Sequence, residues 1–173
     1  MIKSYEHKLR PLCVGSCKGL LFLSTMDDEK WMRFALDEAK EAFRKDEIPI
    51  GAVIIRDGRL ISRGYNMTET LQDATAHAEM IAITAAEQKA GKYLQDCTLY
   101  VTVEPCLMCA GAIGWSQIKR VVYGTDDVKK GFSTYLKPGV SPFHPKAPIV
   151  RGVLEKECRE LLIEFFRKKR GIL

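Results

Sequence analysis

His77-Ala78-Glu79 and Pro105-Cys106-Leu107-Met108-Cys109 supply one imidazole and two thiols as metal ligands, and one carboxylate that need not ligate. Structural zinc is usually closed by four protein ligands, whereas catalytic zinc keeps a position open for water, so this inventory points to a catalytic centre. Thr75 suits the N-cap of a helix opening near the histidine, and Pro105 suits the first position of a second helix. Cys106 and Cys109, three apart, lie on one face of a helical turn. The partial positive charge of a helix N-terminus favours thiolates there. Two thiolates and a neutral imidazole leave zinc formally neutral, yet able to bring water's pKa toward neutrality and supply hydroxide. Glu79 can take that proton and return it to a ring nitrogen and a departing amine. These parts describe hydrolytic deamination.

A lone CxxC would also fit a redox pair or a four-cysteine zinc knuckle. The other cysteines, Cys13, Cys17, Cys97 and Cys158, form no second CxxC, so a closed structural site lacks its fourth ligand. A thioredoxin-like pair would leave both His77 and Glu79 without a role.

With 173 residues the chain can bury one real core and is too short for two domains of ordinary size. Its six cysteines show no disulfide-framework spacing, which favours reduced thiols and a cytoplasmic setting. No apolar run approaches the length of a membrane span. Of the net charge of +5, residues 1–25 carry +3 (Lys3, Lys8, Arg10 and Lys18 against Glu6), leaving +2 for the rest. High basicity alone is therefore weak support for nucleic-acid binding. Residues 1–25 show no sustained period, and the apolar run Leu20-Leu21-Phe22-Leu23 is short for a signal peptide. They are read as a mis-assigned extension or a disordered tail, with Met26 the natural start of a domain over 26–173.

The elements that must position the ligands begin at Asp27. Trp31, Phe34, Ala35, Leu36, Ala39 and Phe43 recur at helical spacing, with acidic residues in the first turn. Residues 52–55 and 60–65 flank Asp57-Gly58 and predict a β-hairpin. A helix is expected over about 76–89, a strand over 98–103, the cysteine helix to about Gln117 and a strand over 120–123. A short element at 149–153 and an amphipathic helix over 154–169 close the chain. This order predicts an α/β protein, a mixed five-stranded sheet covered by helices, with each ligand segment at a strand-to-helix handover. Gly111, Ala112 and Gly114 would let the cysteine helix pack closely on the sheet or on another subunit.

The paired motifs are an established signature of nucleobase deaminases, and the chain resembles the cytidine/deoxycytidylate deaminase superfamily. Within it, the sequence is most similar to the bacterial tRNA-specific adenosine deaminases, from about Trp31 to Arg170. The stretches carrying the likeness are Ile48–Val53, Thr75–Glu79, Leu99–Cys106, Cys109–Ile113, and Glu157–Leu162 with Phe165-Phe166-Arg167. The resemblance implies a three-layer α-β-α cytidine-deaminase-like fold and one zinc ion per subunit, held by His77, Cys106 and Cys109. It assigns proton transfer to Glu79. It implies that Asn66 holds the target base, that the Ala78 backbone and the Ile48 side chain line the pocket, and that Asp127 and Lys129 belong to a loop approaching RNA. It further implies a homodimer converting adenosine to inosine at the wobble position (34) of a tRNA anticodon stem-loop, an arginine tRNA being the expected one. Residue types alone leave Asn66 readable as a turn residue and Ile48 as core.

Lys119-Arg120, Lys129-Lys130 and Arg167–Arg170 are basic clusters that can follow phosphates, though the last also suits a helix C-terminus. Trp115, Gln117, Ala74 and Phe132 depart from the tRNA enzymes' pattern, and Trp115 resembles guanine deaminases. Two alternatives therefore stay open: a free-base or nucleoside deaminase acting on guanine or cytosine, and a non-catalytic zinc-binding protein that interacts with RNA.

Overall fold

The computed structural model describes residues 26–137, 140, 142–143 and 147–171, so the expected extension over 1–25 lies outside the described residues. Helix α1 (Met26–Arg44) carries Asp27, Asp28 and Glu29 in its first turn and Arg44 in its last, which suits the helix dipole. Its inward face is Trp31, Met32, Ala35, Leu36, Ala39 and Ala42. Phe34, expected on that face, is instead over a third exposed and rests against Trp31. The small Ala39 and Ala42, with Met32, occupy the sheet side.

Strands β1 (Gly51–Arg56) and β2 (Arg59–Tyr65) form the expected hairpin. Asp57 and Gly58 both take positive φ, 49° and 68°, as a tight two-residue turn requires. The chain continues through α2 (Thr68–Leu71), α3 (Ala78–Ala90), β3 (Cys97–Val103), α4 (Leu107–Trp115), β4 (Arg120–Thr125), α5 (Phe132–Tyr135), β5 (Ile149–Arg151) and α6 (Glu155–Lys169). The five-stranded sheet has the order β2-β1-β3-β4-β5. β1 is antiparallel to β2 and β3, while β3, β4 and β5 run parallel, so the sheet is mixed as predicted.

Two apolar layers sandwich the sheet, and the period-two alternation of the strands fills both. Ala52, Ile54, Leu99, Val101, Val121 and Tyr123 meet Ala82, Ile83, Ala110 and Ile113 of α3 and α4. Val53, Ile55, Tyr100 and Val122 meet Trp31, Met32, Ala35 and Cys158 of α1 and α6. The result is the three-layer α-β-α arrangement. Tyr100 also donates to Asp28 at 2.8 Å, and Arg120 forks onto the same carboxylate, tying the start of α1 to β3 and β4.

Boundaries differ from expectation where local chemistry intervenes. Thr75 does not cap α3: its N–H and its hydroxyl both bond Asp73 Oδ1, at 2.8 and 2.7 Å, and His77 is the N-cap. Pro105 precedes the cap instead of opening the helix, because Cys106 is extended (φ −72°, ψ 172°). α4 stops at Trp115, where Gln117 turns left-handed (φ 58°) and Ile118 N–H bonds back to Ile113 O. The four-residue helices α2 and α5 have no counterpart in the sequence reading.

Candidate active site

Both ligand segments start helices, and the two helix N-termini converge. His77 is the N-cap of α3 and Cys106 the N-cap of α4, both with extended backbone, while Cys109 lies in the first turn of α4. β3 hands directly to α4, whereas α2 and a loop intervene between β2 and α3, so only the cysteine segment sits at a direct handover. Gly64 of β2 seats α3: a Cβ there would lie 2.7 Å from Ala78 O and 2.9 Å from Ala82 N.

His77 Nδ1 lies 3.7 Å from Cys106 Sγ and 3.5 Å from Cys109 Sγ, and the three ligand atoms fall within 4.8 Å of one another. Tetrahedral zinc with bonds of about 2.3 Å to sulfur and about 2.0 Å to nitrogen separates such atoms by about 3.5 Å, so the donor set fits zinc. Among the described residues no fourth histidine, cysteine or carboxylate joins the cluster, which leaves one tetrahedral position to water or substrate.

Without a cation, a hydrogen bond from Cys109 holds the Cys106 thiol down to about 4, while that bond and burial push the Cys109 thiol far up. A divalent ion removes this asymmetry, since both sulfurs ligate as thiolates. The hydrogen bond with Cys106, with the charges of Glu79 and Cys106, raises the pKa of His77 against burial and the charge of Lys130.

Glu79, only 4% exposed, lies beside these groups without joining the ligand set. Burial pushes its carboxyl up to about 7, with the Cys106 charge adding to the rise and His77 and Cys109 opposing it. A carboxyl poised near neutrality exchanges protons in either direction at working pH, which is the property a general acid–base needs.

Asn66 is 3% exposed and directly follows β2; its N–H bonds Ile50 O, and the N–H of the next residue, Met67, bonds Ala76 O beside His77. The Asn66 side chain donates through Nδ2 to Glu47 Oε2 (3.0 Å) and Thr68 Oγ1 (3.1 Å). Glu47 is fully buried and also accepts from the backbone N–H groups of Glu69 and Thr70. Burial pushes its pKa up, but these hydrogen bonds outweigh that and hold the carboxyl below its usual range. Ile48 is 39% exposed between α1 and β1, which rules out ordinary core packing, and Ala78 is buried at the first turn of α3.

The loop after β4 is drawn to the cysteine segment. Cys106 and Gly131 form an isolated bridge, and Phe132 N–H bonds Pro105 O at 2.9 Å. Buried Glu104 accepts from the N–H groups of Asp127 and Ser133. Asp127 uses its carboxylate to accept from the N–H groups of Lys129 and Lys130, so it shapes the loop, and Lys129 is exposed. Trp115 is 85% exposed at the C-terminal end of α4, the opposite end from Cys106 and Cys109. The sequence reading missed Glu47, Thr68 and Glu104. Glu47 and Glu104 find their partners in distant segments, and only Glu104, directly beside Pro105-Cys106, carried a positional hint.

Residues 25–125 match the family described as the cytidine and deoxycytidylate deaminase zinc-binding region, and the chain belongs to that family. A tRNA-specific adenosine deaminase of Bacillus subtilis (strain 168) is 46% identical over 146 residues, covering 83% of this chain and 91% of the relative. A chloroplastic tRNA(adenine(34)) deaminase of Arabidopsis thaliana is 44% identical over 159 residues; these are 81% of this chain but only 12% of that much longer protein. Among solved structures, one from studies of A-to-I editing by tRNA:A34 deaminases superposes with a TM-score of 0.70 at 41% identity, covering 77% of this chain and 99% of the other. Guanine deaminase from Nitrosomonas europaea superposes with a TM-score of 0.68 at 25% identity, covering 79% and 83%.

Proposed function

We propose that this protein is a zinc-dependent hydrolase that converts adenosine at position 34 of tRNA to inosine, with release of ammonia. The observation that carries the reading is a three-ligand cluster, one short of a closed tetrahedral site, with the buried Glu79 carboxyl beside it. His77, Cys106 and Cys109 hold the metal. Zinc bound there supplies a Lewis acid that makes water acidic enough to act as a nucleophile at neutral pH. Glu79 accepts the proton given up by water, delivers it to the ring nitrogen, and then carries a proton to the departing amine. Water adds, ammonia leaves, and the base becomes hypoxanthine, so the atoms balance.

Adenosine within an anticodon must leave its stack to reach so enclosed a carboxyl. Asn66, the Ala78 backbone and Ile48 receive the base, and the loop bearing Asp127 and Lys129 meets the RNA backbone. Support for tRNA over a free base comes from the relatives' stated substrates at 41–46% identity. The subunits pair as a homodimer, supported by the apolar outer face of α4. The expected partner is an arginine tRNA and the expected setting the cytoplasm; among the described residues no helix is long and apolar enough to cross a membrane.

The test presents the zinc-loaded protein with an anticodon stem-loop carrying adenosine at position 34, beside free adenosine, cytosine and guanine. Inosine in the RNA is expected. Ammonia from a free base alone would replace this reading with a free-base deaminase, and binding without any deamination would leave a zinc-dependent RNA-binding protein.

A further inference from the structure

Asn66 has two chemically opposite edges, a donating Nδ2 and an accepting Oδ1, and the pocket needs only one of them. Nδ2 is committed: it faces the Glu47 carboxylate at 3.0 Å and the Thr68 hydroxyl at 3.1 Å. A carboxylate is acceptor-only when ionised, so it selects the donor edge of the amide and rejects the carbonyl edge. Glu47 is itself held, since Thr68 Oγ1 and the N–H groups of Glu69 and Thr70 all point at it, and no part of it is exposed. Asn66 Oδ1 makes no hydrogen bond, while no buried side-chain polar atom among the described residues lacks a partner, so Oδ1 is the edge open to solvent.

We propose that Glu47 is a positioning residue. It locks the Asn66 amide with its carbonyl oxygen toward the substrate, so the target must offer a donor there, such as an exocyclic amine or a ribose hydroxyl. This rests on the deaminase reading above. The choice matters because a neutral amide can flip with little steric change, and the wrong edge would put a donor against a donor. A buried charge with three further hydrogen bonds removes that freedom before the substrate arrives.

A double-mutant cycle tests the proposal on the full, zinc-loaded chain. Glu47→Gln lets the amide flip; in the wild-type background it lowers kcat/KM on the stem-loop by on the order of tenfold to a hundredfold, with zinc content retained. In the Asn66→Ala background, where no amide remains to orient, the same change costs less than about twofold. A general loosening of the fold would instead give equal losses in both backgrounds, and that result overturns the proposal. Should Glu47→Gln fail to fold, Thr68→Val removes one arm of the clamp and gives a smaller loss with the same dependence on Asn66. A substrate-free measurement stands apart from the activity: the Asn66 side-chain amide protons, followed by 15N NMR, exchange at least about tenfold faster in Glu47→Gln or in Thr68→Val. Unchanged exchange overturns the proposal as well. If the wild-type protein deaminates nothing, the function above fails, and the NMR result alone decides whether Glu47 orients the amide.

Discussion

The cluster of His77, Cys106 and Cys109, with Glu79 beside it, was legible from residue types because each motif spans only a few positions, and spacing alone puts its side chains together. The prediction at this scale separates carboxylate from ligand. Glu79→Ala keeps its zinc, measured by metal analysis, and loses at least about 10²-fold in turnover. Cys106→Ala loses the metal. Equal zinc loss in the two would make Glu79 a fourth ligand. Glu47 was illegible for the opposite reason, since Asn66, Thr68, Glu69 and Thr70 reach it only after the chain has folded back. Its carboxyl is held below the ordinary value of 4.5 in the folded state, so the folded form binds fewer protons than the unfolded one. That stabilisation is complete above pH 4.5 and disappears as the pH falls through the lowered value. Acid unfolding of Glu47→Gln, followed by circular dichroism, is accordingly less steep below pH 4.5 than that of the wild type.

At the scale of elements, periodicity found the long helices and all five strands and missed the two short helices. The misses share a cause. α2 has its Glu69 and Thr70 N–H groups capped by Glu47, and α5 has its Ser133 N–H capped by Glu104. Helices of four residues bury too little to form alone, and their caps come from more than twenty positions away, where no local pattern records them. Thr75 illustrates the converse: a good capping residue was taken over by Asp73. The seat of α3 gives this scale its prediction. A methyl group at Gly64 would press on Ala78 O, Ala82 N and Ile81 Cβ, all within 2.9 Å, and lift the helix that carries His77 and Glu79. Gly64→Ala should cost about 1–3 kcal/mol in urea unfolding and weaken zinc retention during dialysis. Wild-type values for both would refute this close packing.

For the whole molecule, the surface of α4 is the conspicuous feature. Leu107, Met108 and Trp115 are exposed on a helix with no charged residue, and Gly111, between Leu107 and Trp115 on the same stripe, has open space where a Cβ would stand. Apolar faces of this kind mark surfaces that associate. Trp115→Glu should convert the proposed homodimer to monomer in sedimentation velocity; an unchanged distribution would count against α4 as the subunit contact. The sheet order has a separate consequence for assembly. The β1–β2 hairpin can form early from neighbouring residues, but the next partner of β1 is β3, with Ala52 opposite Val101, and His77 lies in the intervening chain. Such distant pairings are slow to form. The histidine is therefore synthesised well before the strand that brings the cysteines to it, and metal capture comes late: a ribosome-bound chain ending before Cys109 can fold its hairpin but cannot yet compete for zinc.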